Sequence, residues 1–117
     1  MLDQRAALQG ILADLVARYP PAPTDQDLAR IAGHLAHGVA AAQSFRDGNR
    51  RTAYWATHRF LCANGLGHLM AYDDQMVARY LNQLVDDQGR GRPARVTVER
   101  FADLFLRRLR NRTPPST

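Results

Sequence analysis

The sequence holds one cysteine, few β-branched residues, no long apolar run and no internal repeat. A lone Cys62 excludes an internal disulfide. Its apolar helical surroundings suggest a small buried residue. No stretch approaches the roughly 20 apolar residues that span a bilayer, and the N-terminus does not read as a secretory signal. No membrane association is therefore expected, and the expected compartment is the cytoplasm. The shortage of β-branched residues beside abundant alanine, leucine and arginine argues against a sheet and for an all-α fold.

What is present fits one domain. At 117 residues and 45% apolar composition, the chain can bury a modest core. The formal net charge is +5, carried on arginine. Such a balance suits an anionic partner such as a nucleotide, a nucleic acid or an acidic protein surface, and it suits an ordinary solvated surface equally well. Leu8, Ile11, Leu12, Leu15, Val16 and Tyr19 recur at helical spacing over residues 3–18, and Pro20, Pro21 and Pro23 end that helix. Thr24, with Asp27 three residues on, reads as the N-cap of a second helix carrying Leu28, Ile31, Leu35, Val39 and Ala42 on one face. Gly33 and Gly38 inside it suggest close approach of a neighbouring backbone.

A third helix is expected from Arg50 to Ala63, with Tyr54, Trp55, His58, Leu61 and Cys62 inward and Asn64-Gly65 as its C-cap. After a connector of uncertain conformation over 66–72, Asp73 or Asp74 caps a fourth helix that buries Met76, Val77, Tyr80, Leu81, Leu84 and Val85. Asp86 to Arg95 reads as a loop. Thr97 caps a last helix with Phe101, Leu104, Phe105 and Leu109 on its apolar face. The expected domain is 1–110, a compact bundle of five to six helices, with a frayed tail over 111–117.

The loop between the second and third helices carries the chemistry. The loop proper is Phe45 to Asn49, and with its flanks the stretch runs Gln43-Ser44-Phe45-Arg46-Asp47-Gly48-Asn49-Arg50-Arg51-Thr52-Ala53. A loop entering a helix presents unpaired N–H groups that favour an anion. Gly48 admits a phosphate close to the backbone, and Asn49 can fix the loop through its amide. Arg50 and Arg51 offer delocalised charge and forked donors. Asp47 is a hard oxygen ligand of the kind that holds Mg²⁺ beside a nucleotide. Phe45 should anchor the loop in the core. Taken singly, Asp-Gly is more often a turn and paired arginines more often a solvated face.

Together these residues resemble the Fic/Doc family, whose signature is His-x-Phe-x-Asp/Asn-Gly/Ala-Asn, followed by Lys-Arg-Thr-Ala in the Doc toxin branch. Phe45, Asp47, Gly48, Asn49, Arg51, Thr52 and Ala53 match, and Arg50 stands at the lysine position. The adenylylating branch has a second arginine where this chain has Tyr54, so the Doc-like branch fits better. His37-Gly38-Val39-Ala40, Phe60 to Gly65 and Val96 to Asp103 resemble the family's flanks, so that the likeness extends over residues 28–110. The resemblance implies a helical, nucleotide-dependent transferase. Doc-like toxins pass the terminal phosphate of ATP to elongation factor Tu and are neutralised by a Phd-like antitoxin. Adenylylating relatives move AMP instead. By position, Asp47 would hold Mg²⁺, Gly48, Asn49 and the start of the next helix would cradle phosphate, and Arg50 and Arg51 would bind it and stabilise charge during transfer.

Two departures qualify this. Gln43 occupies the position of the family's catalytic histidine. An amide cannot take a proton near neutral pH, and losing a general base costs about 100- to 10,000-fold in rate. The chain is therefore expected to be inactive as written, either as a disabled toxin or as a degenerate, non-enzymatic binder of a nucleotide or protein partner. His34, His37 and His58 read as packed or solvated rather than as substitutes. Second, the first helix begins almost at Met1, which leaves little room for the flap that aligns a target segment in Doc-like proteins. The arginines at 107, 108, 110 and 112 read as a solvated helix end, and nucleic acid is not an expected partner.

Overall fold

A computed structural model describes residues 4–19, 22–42 and 49–111. Among them are five α-helices and one 3₁₀ turn, with no strand: α1 (Gln4–Ala17), α2 (Asp25–Ala41), α3 (Asn49–Ala63), the 3₁₀ turn Gly67–Leu69, α4 (Gln75–Gly89) and α5 (Val98–Asn111). The all-α fold is as the composition implies. No described helix is long and apolar enough to cross a membrane.

α2 is the central post, packed against each of the other four helices. It starts at a capping box, in which Thr24 Oγ1 accepts from the Asp27 N–H and Asp27 Oδ2 accepts from the Thr24 N–H. Leu28, Ile31, Leu35 and Val39 are buried together with Ala29, Ala32, Ala36 and Ala40. The small residues let several neighbours approach at once, as a helix apolar nearly all round requires. The closest approach is at Gly33, where an added Cβ would lie 2.5 Å from the Ala102 backbone nitrogen of α5. Gly38 differs from expectation: its nearest neighbour would be Ile11 Cγ2 at 3.6 Å, an ordinary contact with no backbone close by.

α3 is rotated relative to the expected face. Ala53, Thr57 and Leu61 are buried, Tyr54 and His58 are half-buried, and Trp55 and Cys62 are exposed. Small residues at 53 and 57 bring the helix close to α2, which turns the larger rings outward. α3 ends in a Schellman motif: Leu66 N–H reaches Leu61 O at 2.7 Å and Gly65 N–H reaches Cys62 O at 3.2 Å, with Gly65 at φ 77°. The connector folds back as the 3₁₀ turn and buries Leu66, Leu69 and Met70.

Asp74, rather than Asp73, caps α4, whose inward residues are Val77, Tyr80, Leu81 and Leu84; Met76 is exposed and Val85 half-buried. α4 also runs on to Gly89, through residues expected in a loop. The reason is Asp87. Its buried carboxylate accepts from the Arg95 N–H and Nε, each at 3.0 Å, and lies 3.2 Å from Arg92, so the last turn of α4 is fastened to the following loop. α5 is capped by Thr97, whose Oγ1 accepts from the Arg100 N–H. It buries Phe101, Leu104 and Phe105, leaves Leu109 half-buried and reaches Asn111, one residue past the expected domain end. The expected tail beyond it, residues 112–117, lies outside the described residues.

Candidate functional site

The two ends of the motif loop are both tied to α4. Gln88 Nε2 donates to Ala41 O at the end of α2, at 2.9 Å, and Arg50 Nη1 donates to Asn82 Oδ1 at 2.8 Å from the start of α3. Gln43, Phe45, Asp47 and Gly48 lie outside the described residues, and Asn49 is described only as the first backbone position of α3. Arg50 and Arg51 follow in the first turn, both exposed. The guanidinium groups of Arg50 and Arg51 thus stand together in the first turn of α3, the end of a helix where the amides lack intrahelical acceptors.

These arginines open onto a recess of about 430 Å³ between α3 and α4. Arg50, Arg51, Tyr54 and Trp55 form one wall, and Ala78 and Asn82 belong to the other. The wall chemistry combines positive charge, an amide and aromatic carbon. That suits an anion with an organic body. Among the described residues no group of three or more His, Cys, Asp or Glu side chains could hold a metal ion.

Tyr54 is fixed from below. Its Oη accepts from the Asp74 N–H at 2.6 Å and lies 2.8 Å from Tyr72 O and 3.1 Å from Ala71 O, to one of which it donates. The phenol thus pins the turn leading into α4. Asp74 in turn accepts from the Val77 N–H at 3.1 Å, the Ala71 N–H at 3.3 Å and both terminal nitrogens of Arg108, whose Nη1 also donates to Leu69 O at 2.9 Å. Burial pushes the Asp74 carboxyl upward, but the Arg108 hydrogen bonds, the Val77 N–H, the Arg108 charge and the Ala71 N–H outweigh it and hold the group below the usual carboxylate range.

A larger recess, about 580 Å³, lies beside this pair and is lined by His68, Asp73 and Asn111 among others. Its buried carboxylate and guanidinium satisfy each other, so it offers a ligand less unspent charge than the α3–α4 recess. The same pairing removes Arg108 from the C-terminal arginine set, and Arg107 is matched to Asp103 at 3.0 Å. The Tyr54 and Arg108 anchors were missed in the sequence because their partners lie far along the chain. The one signal was a tyrosine where the resembled family has arginine.

His34 and His37 sit on α2, away from this recess. Burial lowers both imidazoles. Arg18 also lowers His34 and neighbouring His34 lowers His37, while Glu99 pulls each upward without reversing the shift.

The Fic/DOC family profile matches residues 2–61, just over half of the chain. The matched stretch takes in α1, α2, the motif loop and α3 as far as Leu61. Comparison with curated proteins and with solved structures gave no match.

Proposed function

The chain belongs to the Fic/DOC family, and from that premise we propose that it is a Doc-like phosphotransferase scaffold that binds ATP with Mg²⁺ at the start of α3 and is disabled at Gln43. The observation that carries this reading is the convergence of Arg50 and Arg51 on a recess of nucleotide size, directly after the Asp47-Gly48-Asn49 motif. Gly48, Asn49 and the first amides of α3 would take phosphate oxygens, with Arg50 and Arg51 neutralising them. Asp47 would hold Mg²⁺, which supplies charge neutralisation on the phosphates. Arg51 would also meet charge that develops during transfer.

Tyr54 supports the Doc-like branch over AMP transfer. Its hydroxyl is spent on the turn before α4, and no arginine stands in its place. Gln43 can orient a hydroxyl but not deprotonate it. The proposed target is elongation factor Tu, the proposed neutralising partner a Phd-like antitoxin, and the proposed compartment the cytoplasm. A non-enzymatic binder built on the same cleft is the second reading, favoured by the same glutamine.

Calorimetry with Mg²⁺ and ATP tests the nucleotide site. The expected result is saturable binding that weakens by about tenfold or more in Arg51→Ala, the loss of a charge-assisted contact. Unchanged affinity in Arg51→Ala and Asp47→Ala would reject the assignment.

A further inference from the structure

The large hydrophobic side chains left exposed among the described residues are Trp55 (36%), Tyr72 (75%) and Met76 (40%), and all three belong to one corner where α3 meets the start of α4. Exposed aromatics gathered in this way mark a contact surface more often than scattered single residues do. Of the three, Trp55 borders the α3–α4 recess, Met76 lines the neighbouring recess beside Asp74, and Tyr72 packs on the Trp55 indole. Trp55 lines the α3–α4 recess together with Arg50 and Arg51. The Tyr72 ring leans on the indole with centroids 5.1 Å apart and planes tilted by 57°, and His58 meets the indole edge-on at 5.8 Å.

The corner is held in place by the network beneath it. Tyr54 packs edge-on against Trp55 at 5.1 Å, and its hydroxyl grips the backbone of residues 71–74. Asp74 and Arg108 lock the same turn from the other side. A ligand face built on such supports loses little conformational entropy on binding. Arg51 and Trp55 are four residues apart, hence neighbours on one side of α3. A guanidinium and an indole therefore stand together at one mouth. This is the combination that a phosphate and a nucleobase require.

We propose that Trp55, with the Tyr72 ring packed on its indole, forms a base platform at the mouth of this recess, so that the site takes a nucleotide through its base as well as its phosphates. The inference rests on the nucleotide reading of Arg50 and Arg51 and adds residues outside the motif. Stacking on the rings covers apolar surface that otherwise faces water, and every nucleobase has a face that can do so. A recess of about 430 Å³ is a small-molecule volume, which favours a nucleotide over an acidic peptide laid across the rings.

Trp55 is the sole tryptophan of the chain, so its fluorescence reports directly on this corner. The test titrates the full chain with Mg²⁺–ATP, with Mg²⁺–tripolyphosphate, which has the charge but no base, and with an acidic tyrosine-containing peptide. ATP should quench Trp55 saturably and tripolyphosphate should bind without that quenching. Tyr72→Ala, at a position too exposed to threaten folding, should weaken ATP by between about fivefold and a hundredfold and leave tripolyphosphate unchanged. Binding of both anions with no effect of Tyr72→Ala would overturn the base platform while leaving the phosphate site standing. Binding of neither would overturn the nucleotide reading and the platform with it. Quenching by the peptide but not by ATP would overturn the platform in favour of a protein contact.

Discussion

Arg108 and Asp74 are the residues on which the α3–α4 corner depends. Asp74 is 6% exposed, caps α4 and accepts hydrogen bonds from three parts of the chain. Arg108 keeps 31% of its side chain in water. Replacing Arg108 by leucine strands a buried carboxylate and should cost roughly 3 kcal/mol, the low end for breaking a buried pair because of that exposure. A shift in the urea midpoint measures it, and an unchanged midpoint would mean that the pair is only a surface contact. This anchor was not legible in the sequence. Arg108 reads as one of several cations at a helix end, and its partner is 34 residues away. The proposed phosphate-binding set could be named from the sequence for the opposite reason: Asp47 to Arg51 are contiguous, so grouping them needs no fold.

Among the elements, α2 shows how two glycines of one helix carry different meanings. A Cβ at position 33 would meet the α5 backbone at 2.5 and 2.6 Å, atoms that cannot move aside without moving the helix. Gly33→Ala should destabilise by about 1–3 kcal/mol. A Cβ at position 38 would meet only Ile11 Cγ2, at an ordinary 3.6 Å, so Gly38→Ala should stabilise by about 0.5–1 kcal/mol through helix propensity. Thermal denaturation of the two variants checks the pair, and equal shifts would contradict this helix packing. Helix number and caps were readable from local signals such as Thr24, Asp74 and Thr97. The phase of α3 was not, because side-chain size points to Tyr54 and Trp55 as core while close packing on α2 selects Ala53 and Thr57. The extension of α4 through Asp86 and Asp87 was hidden in the same way, since acidic residues near glycines read as loop until Arg92 and Arg95 fold back on them.

For the molecule as a whole, the α2 histidines set a pH dependence. Both imidazoles sit below their ordinary value of 6.5 in the folded state. As pH falls below about 6.5 the unfolded chain takes up these protons first, so stability falls. The loss levels off once pH passes below the depressed folded values. Asp74 acts in a lower window: its contribution is in force above the ordinary value of 3.8 and is lost as pH falls through its lowered folded value. Urea midpoints should therefore be lower at pH 5.5 than at pH 7.5, and His34→Gln with His37→Gln should flatten that difference. A difference that persists in the double variant would assign it elsewhere.

The proposed function joins the Fic/DOC family match and a recess headed by Arg50 and Arg51 to Gln43, read as standing at the position of the family histidine. Its central claim is that binding is retained while proton removal is missing. The most direct measurement is transfer of label from terminally labelled ATP to elongation factor Tu, comparing the chain as it stands with Gln43→His. The account predicts label on the factor only with Gln43→His, at a rate about 100- to 10,000-fold above the glutamine form. A Gln43→His protein that binds ATP yet transfers no label would contradict it.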